Sequence, residues 1–145
     1  MHPMPVPVLL VQPVRDDRGM YAEFLRDCGF EPIVASTAAD ALRLVSRARV
    51  VVTELLLPGR TDGFELIAKL RRSPRTAHVP IVVLTSCAWH ADRDRALAAG
   101  CDVFLAKPCL PDQLVIEVRR VLRPSPAKAA INERMAPVRK RKGHA

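Results

Sequence analysis

Glu54 is the residue around which chemistry is expected. It closes the apolar run Val50-Val51-Val52 and stands just before a turn built from Pro58, Gly59, Asp62 and Gly63. Valines unbroken by polar residues suit a strand buried on both faces of a parallel sheet. Such strands deliver their ends to a ligand crevice. A carboxylate at that end is either a site residue or a structural acid paired with a base, and its own stretch leaves both readings open. Thr61 or Asp62 is placed to cap the helix that begins near Phe64.

Other reactive side chains are less organised. Cys28, Cys87, Cys101 and Cys109 have neither Cys-x-x-Cys nor Cys/His metal spacing, so free thiols are expected. Cys87 and Cys109 both lie just past strand ends, but a redox pair needs Cα atoms within a narrow distance, and inert thiols are the expectation. His78 and His90 have no ligand cluster behind them. Trp89 either anchors a partner or folds onto its own loop.

These residues sit on an alternation of strands and helices. Val6–Val11 reads as a strand closed by Gln12-Pro13, and Asp16-Asp17 precede a helix with Met20, Phe24, Leu25 and Cys28 on one face, ended by Gly29. A strand over 32–36 leads to a capping-box-like start at Thr37 and a helix turning Ala41, Leu42 and Val45 inward. The Glu54 strand is third. Its helix, 63–72, buries Phe64, Ile67 and Leu70 before Ser73-Pro74 breaks it. A fourth strand, 79–85, ends at Thr85; its helix, 91–99, is the least amphipathic, with Leu97 as its apolar anchor and Gly100 as its stop. A fifth strand, 102–106, and a helix opened by Pro111, with Leu114, Val115, Val118 and Leu122 inward, complete the set. Five such pairs imply an α/β fold with a parallel sheet covered on both sides.

A chain of 145 residues with 49% hydrophobic content supports one full core. Residues 1–5 read as an extension, 6–122 as the domain and 123–145 as a basic tail too polar to add to a core, expected to be disordered. No apolar run approaches the ~20 residues of a membrane span, and the N-terminus lacks the pattern of a secretion signal, so a cytoplasmic protein with no membrane partner is expected. The net charge of +8 is uneven: residues 1–122 carry 16 bases against 14 acids, and 123–145 carry 7 against 1. Arg139, Lys140, Arg141 and Lys142 either attract nucleic acid or are simply solvated. No helix-turn-helix follows and no aromatic lies in the tail, so any such contact is nonspecific.

Taken together, the segment from Leu55 to Gly63, the strand Ile81–Thr85 and the stretch Ala99–Pro108 make the chain resemble, over about 6–122, a response-regulator receiver domain of two-component signalling. The resemblance implies a flavodoxin-like (βα)5 sheet of order 2-1-3-4-5, with the site at the strand C-termini. It also implies two acids after the first strand that hold Mg²⁺, a phosphoacceptor aspartate after the third, and a threonine or serine and a lysine that bind phosphoryl oxygens.

Carried over by position, the acidic-pocket places fall on Gln12 and Pro13 and the phosphoacceptor place on Glu54, while Thr85 and Lys107 are retained. Gln12 offers a neutral carbonyl and Pro13 no side-chain ligand, so Mg²⁺ binding is expected to be lost and no cofactor is assigned. Asp16 and Asp17 lie some four residues too late and read as helix-capping residues. Glu54 is expected to contact Lys107, as a structural salt bridge or, in a sharper reading, as an imitation of the phosphorylated state. Phe104 falls at the family's switch aromatic, with a core phenylalanine as the simpler reading, and Lys107-Pro108 at a bond that is commonly cis.

The reading is a pseudo-receiver, not an enzyme. It is expected to signal through a protein partner on the face of the fourth helix, fifth strand and fifth helix, and a homodimer is a further possibility. The alternatives are a weakly phosphorylatable response regulator and a nucleic-acid accessory protein using the basic tail.

Overall fold

The computed structural model describes residues 4–123, in which five strands alternate with five helices. These are β1 (Val6–Val11), α1 (Arg15–Asp27), β2 (Phe30–Ala35), α2 (Ala38–Leu44), β3 (Val50–Thr53), α3 (Gly63–Arg72), β4 (Ile81–Thr85), α4 (His90–Ala99), β5 (Val103–Ala106) and α5 (Pro111–Leu122), with a single 3₁₀ turn, Val45–Arg47, after α2. The sheet has the order β2-β1-β3-β4-β5 and every pairing is parallel.

Alternation along the strands divides the core into two layers. Leu9, Val11, Val51, Ile81 and Val83 face α2, α3 and α4, while Val8, Leu10, Val50, Val52, Val82 and Leu84 face α1 and α5. All of these are fully buried, which is why β1, β3 and β4 read as continuous apolar runs.

Element ends follow local chemistry. Thr37 caps α2 by accepting from the Asp40 amide at 3.1 Å, and Asp62, not Thr61, caps α3 by accepting from the Glu65 amide at 2.9 Å. Asp16 and Asp17 do not cap α1: Val14 stands at the cap without a side-chain bond, and both acids lie in the first turn. β2 begins at Phe30 and includes Pro32, which an edge strand tolerates because one row of its amides has no ladder partner.

In two helices one expected apolar residue is exposed, while Phe24, Leu25 and Cys28 of α1 pack inward as expected. In α1 the buried residues are Tyr21, Ala22 and Leu25, and Met20 is 42% exposed, because the 3.6-residue period aligns 21, 25 and 28 and leaves position 20 at the margin. In α4 the buried residue is Ala96 and Leu97 is 41% exposed. A small side chain lets this weakly amphipathic helix lie close to its neighbours, and the Arg95 guanidinium covers the Phe64 ring at 3.9 Å.

Arg71 ties the far ends of these elements together. It donates to the carbonyls of Gly100 (2.9 Å), Ala77 (3.0 Å) and Val79 (2.6 Å) and to Asp102 Oδ2 (3.0 Å), which in turn accepts from the Ile81 amide (2.8 Å). At the opposite end, Gly63 donates its amide to the Leu55 carbonyl at 2.9 Å. A Cβ at position 63 would collide with the Glu54 carbonyl oxygen and with Leu55 Cα, both backbone atoms. Glycine is therefore required by close approach, and the turn after β3 is locked against the start of α3. Gly63→Ala should lower stability by at least ~1–3 kcal/mol, the cost of overpacking a fixed backbone, measurable as a lower urea midpoint.

Candidate functional site

The C-terminal ends of β1, β3, β4 and β5 bring Gln12, Glu54, Thr85 and Lys107 into one pocket, and the first turn of α1 adds Asp17. Gln12 is fully buried just past β1, its amide continuing the ladder to the Ala35 carbonyl at 3.0 Å. Its side chain donates from Nε2 to the Leu84 carbonyl at 3.4 Å and accepts at Oε1 from Lys107 Nζ at 2.8 Å. Pro13 contributes only its carbonyl, which with that of Gln12 receives the Arg18 guanidinium at 3.3 and 2.8 Å.

Glu54 is 4% exposed, and its two carboxylate oxygens are engaged differently. Oε2 accepts from the amides of Leu55 (2.8 Å) and Leu56 (3.3 Å) and from the Thr85 hydroxyl. Oε1 faces Lys107 Nζ at 3.4 Å. The Thr85 oxygen also accepts from the Cys87 amide at 2.9 Å, so the threonine is held from both sides.

Lys107 is the centre of the cluster. Its ammonium donates to Gln12 Oε1 and Asp17 Oδ2, both at 2.8 Å, and pairs with Glu54 Oε1 at 3.4 Å. Its backbone amide donates to the Thr85 carbonyl at 2.7 Å. The expected Glu54 contact is present, but the shorter partners are Gln12 and Asp17. Asp17 thus belongs to the pocket and not to helix capping. The available signal was its place in the first turn of a helix that starts immediately after the pocket, since that turn faces the strand ends.

The surroundings are set by the same loops. The Lys107-Pro108 peptide is cis. Phe104 is half-buried against the α2, α3 and α4 layer, on the opposite sheet face from Val103 and Leu105. Tyr21 donates to the Cys109 carbonyl at 2.7 Å, and burial pushes its hydroxyl up to about 12, so it remains a donor at neutral pH. All four thiols are free. Burial also raises the Cys87 and Cys109 thiols and takes Cys101 to about 11, which disfavours the reactive thiolates. Trp89 is 79% exposed at the start of α4, so it does not fold onto its loop. His78 and His90 are exposed, and among the described residues no three His, Cys, Asp or Glu side chains gather to hold a metal. Arg139, Lys140, Arg141 and Lys142 lie outside the described residues.

The sheet order 2-1-3-4-5, with its polar pocket at the strand C-termini, has a counterpart in sequence: the model of the response regulator receiver domain matches residues 8–119. The chain belongs to the response regulator receiver family. It is 33% identical over 121 residues to the response regulator Rre1 of Synechocystis, covering 81% of this chain and 52% of that protein, so it spans about half the relative's length. Among solved structures it resembles a response regulator from Chloroflexus aurantiacus, with 30% identity, TM-score 0.76 and coverage of 81% and 98% of the two chains. It also resembles the receiver domain of the sensor histidine kinase PA1611 of Pseudomonas aeruginosa, with 27% identity, TM-score 0.74 and the same coverage; that domain has a magnesium ion coordinated in its active-site cleft. The chain is therefore a receiver domain of the response-regulator family. No helix among the described residues is long and apolar enough to cross a membrane.

Mg²⁺, the cation that the family implies, requires near-octahedral oxygen donors, several of them charged. Here the side-chain donors at hand, Gln12 Oε1, Asp17 Oδ2 and Glu54 Oε1, all face one ammonium. While the Lys107 ammonium stands among them, these donors fit a lysine head group and leave no place for a hard divalent cation. Removing the lysine charge leaves two carboxylates facing each other across a largely buried pocket. Lys107→Met should cost about 3 kcal/mol in urea unfolding, the low edge for a broken buried pair because Asp17 is 36% exposed.

Proposed function

We propose that this receiver domain signals without accepting a phosphoryl group, and that the Lys107 ammonium is the resident cation of its pocket. The observation that carries the reading is the threefold coordination of Lys107 by Gln12, Asp17 and Glu54. Phosphoryl transfer needs a free carboxylate and a divalent cation to neutralise the charge that develops. Glu54 stands where the acceptor would be, with its Oε2 already bound by two amides and Thr85. Thr85 and Lys107, the groups expected to hold phosphoryl oxygens, are held by Glu54 instead. The pocket is thereby satisfied from within, and Mg²⁺ has no role in it. The domain is read as a binding module, not an enzyme.

The same reading sends function to the surface. Trp89 and Leu110 open α4 and α5 and are 79% and 68% exposed, and Leu97 and Ile116 on those helices are 41% and 50% exposed. Large apolar side chains exposed on α4 and α5 support a protein partner on that side, with Trp89 as the anchor.

Titration of Mg²⁺ followed by beryllofluoride, read as backbone amide shifts at residues 12, 54, 85 and 107, should give no saturable change. Glu54→Asp should behave the same way, and Lys107→Met should gain saturable Mg²⁺ shifts once Gln12, Asp17 and Glu54 are released. Saturable shifts in the unaltered domain would instead favour a weakly phosphorylatable regulator. For the surface, Trp89→Ala should weaken partner binding by at least ~2 kcal/mol, as hot-spot truncations do, and partner addition should blue-shift the emission of the chain's one tryptophan.

A further inference from the structure

The charges of the domain are sorted along the strand direction. α1, α2, α3 and α5 each carry acids in the first turn and bases in the last, ending in residues such as Arg26, Arg43, Arg72 and Arg120. That order complements the helix dipole. Because each helix runs back against a parallel sheet, these last turns converge on one pole, where the strands begin. Helix dipoles do not account for all of it, since Arg49 and Arg75 lie outside every helix and face the same pole, between α2 and β3 and between α3 and β4.

Arg47, Arg49, Arg75 and Arg123 are exposed there, and none pairs with an acid among the described residues. Beside them a cavity of about 460 Å³ lies among the ends of α3, α4 and α5, lined in part by Arg71, His78, Asp102, Arg120 and Arg123. Its acid, Asp102, is already matched by Arg71 at 3.0 Å. Asp27 and Glu31 mark the β2 edge, so the basic surface belongs to the β3, β4 and β5 side. From Arg123 the chain continues into residues 124–145, which hold six bases against one acid.

We propose that this pole binds the phosphate backbone of duplex nucleic acid without reading its sequence. Unpaired guanidinium groups match phosphate geometry and gain affinity by releasing counterions. A single strand is the poorer fit, because stacking needs exposed aromatic rings and the pole has none: Trp89 lies at the opposite end, and Phe30 is buried beneath Arg119. The surface is remote from Glu54 and Lys107, so this inference stands or falls independently of the pocket.

The test uses the full chain and short labelled DNA duplexes of two unrelated sequences, followed by anisotropy between roughly 50 and 200 mM salt. Both duplexes should bind alike, with affinity falling steeply as salt rises. Combining Arg47→Glu, Arg49→Glu and Arg75→Glu should weaken binding at least about tenfold and reduce the log–log salt slope by roughly 0.9 for each phosphate no longer neutralised. Arg15→Glu with Arg60→Glu, at the pocket pole, should change neither. Circular dichroism checks the fold, and Arg49→Gln with Arg75→Gln repeats the test more gently if the triple change unfolds the protein. The proposal is overturned by no binding at low salt, by tighter binding to single strands or anionic vesicles than to duplex, or by unchanged affinity in the Arg47, Arg49 and Arg75 variants. It also falls if glutamine at Arg139, Lys140, Arg141 and Lys142 abolishes binding that those pole variants leave intact.

Discussion

An ammonium held largely out of water must be neutralised where it lies, and the pocket end of this domain is arranged around that requirement. Lys107 reaches Gln12 and Asp17 at 2.8 Å and Glu54 at 3.4 Å, drawing residues from β1, α1 and β3 to a base at the end of β5. Taking such a charge out of water costs several kcal/mol unless partners and hydrogen bonds replace the lost hydration. The partners then need support of their own. Glu54 is steadied by two backbone amides and Thr85, and Thr85 by the Cys87 amide. Each link is local, yet together they cross four of the five strands.

On the proposed reading it is this network, rather than the fold, that keeps magnesium out of the pocket. The sheet order and strand directions match the family, and the PA1611 receiver carries magnesium in the corresponding fold. A divalent ion needs several oxygen donors whose negative charge is not already spent on a neighbour. Here it is spent on lysine. The extra methylene of glutamate, relative to aspartate, carries a carboxylate far enough to meet Thr85 and Lys107 together. On the proposed reading such a pocket keeps one charge arrangement, and a partner would be engaged through the exposed apolar residues of α4 and α5.

Topology shapes the rest of the molecule through charge. In a parallel sheet with returning helices every helix start lies near the pocket and every helix end lies at the other pole. Residue choices that stabilise single helices therefore accumulate into a polarity of the whole domain. The pocket pole concentrates buried charge and exposed apolar side chains; the far pole concentrates exposed arginine. Arg71 belongs to that far pole but is committed to four partners that brace α3, the α3–β4 connection and β5 against one another.

Much of the fold was legible in the sequence, because β-branched runs, capping residues such as Thr37 and Asp62, and helix stops such as Gly29 act locally. Glu54 stood out at the end of an apolar strand, whereas Gln12, Thr85 and Lys107 were marked through the resemblance to the receiver family, and the structure brings all four together. Helix faces were less legible, as Met20 and Leu97 show, since a helical period marks a stripe and packing selects its edge. The role of Asp17 was hidden by its sequence distance from Lys107, and only the docking of α1 beside the strand ends brought its carboxylate to the ammonium. The far pole was hidden more completely. Residues 1–122 carry nearly balanced charge along the chain, and separation of that charge in space follows only from the common direction of helices on a parallel sheet.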